Sequence, residues 1–357
     1  MNNNALNTIQ EEALALLKQL IATPSFSKEE DKTAEILFHF LSQRTIHVKQ
    51  TGNNVWARNV HYDESKPTLL LNSHHDTVKP NKGFTIDPFA PISDKGKLYG
   101  LGSNDAGGPL VSLIATFLYY KDRDDLKYNI VLAASAEEEI SGKNGIEMVL
   151  PEIGPIEFGI VGEPTQMQMA VAERGLMVLD CAVLGRAGHA ARNEGENAIY
   201  KALKDIAWFS SYQFPKVSEL LGPVKMSVTV IDTQNKAHNV VPAQCTFVVD
   251  TRVNELYTFE EVLDTIRQHV ACEVQPRSFR LRSTSIALDH PIVKAGLKLK
   301  RTYYGSPTTS DKALMPFPAL KIGPGDSARS HTADEYIYID EIKQGIELYI
   351  QLLNQIV

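Results

Sequence analysis

Five short stretches of this chain set titratable side chains beside apolar runs. "LLLNSHHDTV" turns three leucines into His74, His75 and Asp76. "YGLGSNDAGG" places Asp105 ahead of a glycine pair, and "LAASAEEEISG" places Glu137, Glu138 and Glu139 after an apolar run. "GIVGEPT" ends in Glu163, and "GPGDSARSHTADEYI" carries His331. Imidazoles and carboxylates are costly inside a protein unless something pairs them. At the mouths of buried strands they can instead face a cleft, where open α/β sheets bind ligands. Each stretch has a dull reading: a solvated helix start for the three glutamates, an N-cap for Asp105, a turn for Glu163, a surface histidine for His331. Five together are harder to dismiss. Two imidazoles and three carboxylates without a thiolate suit zinc, and also cobalt or manganese. With one carboxylate bridging, such a set would hold two metals, and a spare carboxylate beside them would serve as general base.

The elements that must position these residues follow from periodicity. Helical spacing predicts helices from about Ala5 to Ile21 and from about Lys28 to Leu41. Strands are expected near His47–Gln50, Asn54–Asn59 and Thr68–Leu71. A helix in "GGPLVSLIATFLYYKDR" and strands in "YNIVLAAS" and "EFGIVGEP" continue the alternation of an α/β layer. After Arg174-Gly175 the texture changes. "LMVLDCAVLGR", "NAIYKALKDIAWFSSY", "VKMSVTVIDTQ", "QCTFVVDTRV", "TFEEVLDTIRQHV" and "FRLRSTSIAL" read as β-α-β-β-α-β, the ferredoxin-like order. The chain then resumes with helix "HPIVKAGLKLKRTYYG", strand "PALKIGPG" and a helix from Ile339. This implies one α/β domain, 1–174 and 286–357, interrupted by an α+β domain, 175–285.

Composition narrows the classes. The 357 residues are 43% hydrophobic and 22% charged, with a formal charge of −7. No basic tract suggests nucleic acid, and no apolar run is long enough to span a bilayer. The N-terminal stretch reads as an amphipathic helix without a basic export signal. Cys181, Cys245 and Cys272 are scattered, as expected for reduced thiols in a cytoplasmic protein.

In combination and order these motifs resemble the co-catalytic zinc amidohydrolases and exopeptidases: acetylornithine deacetylases, succinyl-diaminopimelate desuccinylases, aminoacylases and glutamate carboxypeptidases. The resemblance spans nearly the whole chain. It implies a zinc-exopeptidase-like domain carrying an inserted dimerisation and lid domain that swings on linkers near Arg174-Gly175 and Ser285. It also implies two divalent ions, Zn2+ or alternatively Co2+ or Mn2+. By resemblance, His74, Asp105, Glu139, Glu163 and His331 are the metal ligands, with Asp105 bridging. Asp76 orients His74, Glu138 is the base, and His75 has no assigned role. In "GRAGHAARNEGENAI", His189 would cross to a partner subunit's site and bind the carbonyl oxygen.

Substrate contacts are implied for Asn239 of "KAHNVVP", Arg252 of "VVDTR", Ser310 and Asp311 of "TTSD", and Gly325. The plainer reading of Arg252 is a strand-edge salt bridge. Asp311 and Asp326 are candidates to meet a basic side chain, and either could be a loop cap. Relatives often carry Gly-Arg-Gly where Leu101 stands, and Lys where Gly107 stands. The final motif looks most like the acetylornithine deacetylase branch. The implied activity is deacylation of a small N-acyl amino acid, N2-acetyl-ornithine or an N-acyl-citrulline or N-succinyl-ornithine, in arginine biosynthesis. The alternatives are a succinyl-diaminopimelate desuccinylase, a metallo-dipeptidase or carboxypeptidase, and, more distantly, a non-catalytic binding member. The expected partners are the small substrate and a second copy of the chain, with no nucleic acid or membrane.

Overall fold

The computed structural model describes residues 3–192 and 194–357. They divide into an α/β unit, residues 3–171, 286–304 and 310–357, and an α+β unit, residues 172–192, 194–285 and 305–309.

In the α/β unit four strands run parallel. Thr68–His74 lies between Asn129–Ser135 and Phe158–Val161, and Phe158–Val161 pairs with Ala319–Lys321. All seven residues of Thr68–His74 and of Asn129–Ser135 are buried, as expected of strands covered on both faces. The strand runs on past the predicted Leu71 to His74, because Asn72, Ser73 and His74 find partners in the neighbouring strand. Asn72 pairs with Ala133, Ser73 with Ala134 and His74 with Ser135. On one face Leu70, Val131 and Ala133 pack with Trp56, Ile146, Val149 and Ile153. The helix Ile146–Ile153 that supplies the last three was not read from the sequence. The helix Gly108–Tyr120 is buried at nearly every position and packs against helices Asn3–Ile21 and Ile339–Leu353. Burying each Leu, Ile or Val side chain of this kind stabilises by roughly 1.5–3 kcal/mol.

The register has a direct consequence. Parallel strands share a direction, so their carboxyl ends fall along one edge. His74 is the last residue of its strand, Glu137–Glu139 follow Ser135, Glu163 follows Val161, and the loop bearing His331 follows Lys321.

The α+β unit is a four-stranded antiparallel sheet in the order Lys225–Asp232, Gln244–Val253, Gly175–Leu184, Glu273–Pro276. Met177, Leu179, Cys181 and Val183 alternate inward and meet Ala198, Ala202 and Phe209 of one helix and Val262, Leu263 and Ile266 of the other. Asn197 caps helix Ala198–Ser211, its side chain accepting the Ile199 N–H at 2.9 Å. Thr258 and Glu261 form a reciprocal capping box on Phe259–His269.

The fourth strand corrects the sequence reading. It is Glu273–Pro276, not "FRLRSTSIAL", of which only Thr284–Ser285 is strand. The Asp205 carboxylate accepts the N–H groups of Ala271 and Cys272 at 3.1 and 2.9 Å, turning the chain back onto the sheet at once. Only Val274 of this strand is buried, too little to show as periodicity. The helix from His290 is also shorter than expected, Pro291–Lys298, and Tyr303–Ser306 is strand.

Candidate metal centre

His74 is 1% exposed. Its Nδ1 hydrogen-bonds the main-chain carbonyl of Asp76 at 3.0 Å, which fixes the tautomer and leaves Nε2 for other work. Around Nε2 stand Asp105 Oδ1 at 3.3 Å, Glu138 Oε2 at 3.9 Å and Glu163 Oε1 at 3.9 Å.

Asp76 was expected to orient this imidazole with its carboxylate. That carboxylate is 3.4 Å from Nδ1, and most of its bonding goes elsewhere. It accepts the backbone N–H of Glu138 at 3.0 Å, that of Glu139 at 3.1 Å, and the Ser27 hydroxyl at 2.7 Å. The orienting bond comes from the same residue's carbonyl, and the side chain grips the next loop.

The three glutamates separate by the shape of their turn. Glu137 has φ +54°, and its carboxylate accepts from Asn144 Nδ2 at 2.8 Å and Asn144 N at 3.3 Å, closing its own loop. The two that follow face the site. Glu138 approaches His74, and Glu139 Oε2 lies 3.0 Å from His331 Nε2. His331 also stands 3.7 Å from Asp105 Oδ2. Among the described residues, two triads have ligand atoms all within 4.8 Å of one another: His74, Glu138 and Glu163, and His74, Asp105 and Glu139.

The electrostatics are those of crowded carboxylates. Burial opposes a charged His74, but Glu138, Asp105 and Asp76 outweigh it and hold its pKa well above the ordinary value. Burial, with Glu163, Asp311 and Glu139 nearby, pushes Glu138 well up. The hydrogen bond to Glu139 lifts His331 to about 9. Burial lifts Asp311 to about 6.

The other predicted contacts lie as follows. Ser310 and Asp311 are 4% and 3% exposed. Asp311 accepts the Ser135 hydroxyl at 2.5 Å, so it is packed under the site, not held out to a basic side chain. Asp326 is the loop cap of the alternative, accepting from Ala328 N at 2.9 Å and from Gln166 Nε2 at 2.5 Å. Gly325 has φ +91°, a Cβ there would meet Asn104 Oδ1 at 2.6 Å, and its carbonyl accepts the Gln166 N–H at 2.7 Å. His75 points away, between Thr33 Oγ1 and the Asn53 carbonyl, both at 2.9 Å.

In the α+β unit, His189 and Asn239 share one exposed ribbon. His189 pairs with Val240, and Ala190 N donates to the Asn239 carbonyl at 3.0 Å. The Arg252 fork is occupied by Asp250, at 2.8 and 3.0 Å, which is the salt bridge of the plainer reading.

The profile of Peptidase family M20/M25/M40 matches residues 70–355. The chain belongs to that family. A succinyl-diaminopimelate desuccinylase of Rickettsia bellii is 26% identical, over 95% of each chain. Among solved structures, the aminopeptidase PepT of Bacillus cereus superposes with TM-score 0.78 at 18% identity, covering 97% of this chain and 98% of its own. A Staphylococcus aureus tripeptidase gives TM-score 0.78 at 19% identity, covering 96% and 97%. The M20 architecture of an α/β unit with a separate α+β unit is therefore this chain's fold. The relatives shift weight from the acetylornithine deacetylases, where the motifs pointed, to the desuccinylases.

The residues fit the two divalent ions that the M20 family implies. The donors are nitrogen and oxygen only, and all three cysteines lie in the α+β unit. The carboxylates outnumber the imidazoles, and Glu138, Asp105 and Asp76 raise the His74 pKa against its burial, a surplus of negative charge that a cation would satisfy. Departures from relatives also have a physical basis. A Cβ at Gly107 would meet the Gly102 carbonyl oxygen at 2.4 Å and Leu17 Cδ1 at 2.6 Å, leaving no room for a lysine. Leu101 is 4% exposed and belongs to the core. Among the buried acids that the sequence does not single out are Glu30 and Glu335, both fully or almost fully buried. Their signal was slight: an acid next to an apolar run, with no motif of its own.

Proposed function

We propose that this protein hydrolyses the amide bond of a small N-acyl amino acid, with two divalent ions held by His74, Asp105, Glu139, Glu163 and His331. The ions would supply Lewis acidity toward the amide carbonyl and the attacking water. Glu138 takes the water's proton and delivers it to the leaving amine, so one carboxylate serves both transfers. Asp76 holds Glu138 and Glu139 in place through their backbone N–H groups. The observation that carries this reading is the convergence of Asp105 and Glu163 on His74 Nε2 and of Asp105 and Glu139 on His331 Nε2, with Glu138 beside His74 and Glu137 turned away.

For the substrate, the named relatives favour an N-succinyl amino acid of the diaminopimelate type over N2-acetyl-ornithine. Arg252 is the candidate for a substrate carboxylate, because a guanidinium fork matches it bidentately. Asp250 would then act as a stand-in anion that substrate displaces. His189 reaches the site of a second copy, and the edge strand Lys225–Asp232, with Val230 and Ile231 each 53% exposed, is the pairing edge of a homodimer.

The test is a comparison of kcat/KM for N-succinyl and N-acetyl forms of diaminopimelate, ornithine, citrulline and lysine, with a di- and a tripeptide. Preference for N-succinyl-diaminopimelate supports the reading. Preference for N2-acetyl-ornithine restores the deacetylase assignment, and preference for a peptide replaces both with an exopeptidase.

A further inference from the structure

Glu335 is 2% exposed, and its carboxylate faces backbone. Oε1 accepts the N–H of Asn104 at 2.8 Å and of Asp105 at 3.0 Å, and Oε2 accepts that of Gly102 at 3.3 Å. Its own carbonyl accepts the Gly100 N–H at 3.0 Å. The strand that begins beside it, Tyr336–Tyr338, pairs with Lys97–Tyr99. A return tie comes from Asn104, which is completely buried. Its Oδ1 accepts the Asp326 N–H at 3.0 Å, and its Nδ2 donates to the Asp326 carbonyl at 3.0 Å and to Ser330 Oγ at 3.3 Å. Each loop therefore holds the other's backbone by a buried polar side chain. One loop carries Asp105 and the other carries His331.

We propose that Glu335 and Asn104 are positioning residues that set the spacing between Asp105 and His331, and so the affinity of the metal ion these two share with Glu139. The inference rests on the reading of Asp105 and His331 as metal ligands. A carboxylate suits the task because both of its oxygens accept. Glutamine has one accepting oxygen and would turn its NH2 toward an N–H of the Asp105 turn, leaving a buried donor without a partner. Partners behind a ligand typically change metal affinity by about 10- to 100-fold when removed.

The experiment titrates Zn2+ into metal-free full-length protein, wild type and Glu335→Gln, by calorimetry, and follows hydrogen exchange of residues 100–107 in the same metal-free samples. The expected result is two sites in wild type. In Glu335→Gln, the dissociation constant of the site formed with Glu139 and His331 rises about 10- to 100-fold, the other rises less because Asp105 would bridge both, and exchange is faster over Gly102–Asp105. Asn104→Ala, which cuts the return tie and leaves Glu335 in place, is expected to weaken the same site, and it carries the test if Glu335→Gln does not fold. Val149→Ala, a core truncation in the same unit, controls for lost stability: it lowers the melting temperature and leaves both constants alone. Wild-type constants in either folded variant overturn the proposal alone. Wild-type protein that binds fewer than two ions overturns the metal reading, and the proposal with it.

Discussion

The Asp76 carboxylate accepts the backbone N–H of Glu138 at 3.0 Å, tying the tip of one parallel strand to the loop of its neighbour. The same group bonds the Glu139 N–H and the Ser27 hydroxyl. One buried acid thus fixes both glutamates that face the site, while its carbonyl fixes His74.

Asp76→Ala should therefore loosen the site from beneath. It strands two half-buried N–H donors and a half-buried hydroxyl, at up to about 1–3 kcal/mol for each group left unsatisfied. The unfolding free energy of metal-free protein, from denaturant titration, is expected to fall by at least about 2 kcal/mol. A change within 0.5 kcal/mol, roughly the scatter of surface substitutions, would show that the grip on Glu138 and Glu139 is dispensable.

Glu138 and Glu139 should separate cleanly by substitution. Glu138→Gln is expected to keep both ions and lose more than the roughly 100- to 10,000-fold typical of one acid–base step, since it serves two. Glu139→Gln is expected to weaken one metal site. Metal content and turnover on the same samples decide it, and the reverse pattern would exchange their roles.

How much of this was legible follows from where the signals lie. The Leu69–Leu71 run announced a buried strand, and a histidine at its tip announced a cleft, because both signals are local. The α+β order was legible because its inward faces alternate, as in Met177, Leu179, Cys181 and Val183. Its last strand was not, since Asp205, about 66 residues upstream, turns the chain there. Glu335 escaped for the same reason: its partners lie about 230 residues away. A loop motif also cannot show that Ser135 faces Asp311 and Asn104 faces Gly325.

Gly107 offers a test of packing. A side chain there collides with the Gly102 carbonyl, so Gly107→Ala should cost about 1–3 kcal/mol, the usual range for overpacking. Thermal unfolding reads it, and an unchanged melting temperature would show that the Asp105 turn moves freely.

The dimer reading is tested by complementation. His189→Ala and Glu138→Gln should each be poorly active with metals retained. Mixing them, with subunit exchange verified by mass spectrometry, should restore part of the activity. No recovery would confine His189 to its own chain or remove it from the reaction.

Turnover of the best substrate from the panel, followed through chelation and metal return, tests the central claim most directly. Activity is expected to vanish when both ions are removed and to return when two equivalents of Zn2+ are supplied. Undiminished turnover by protein proven free of metal would contradict it.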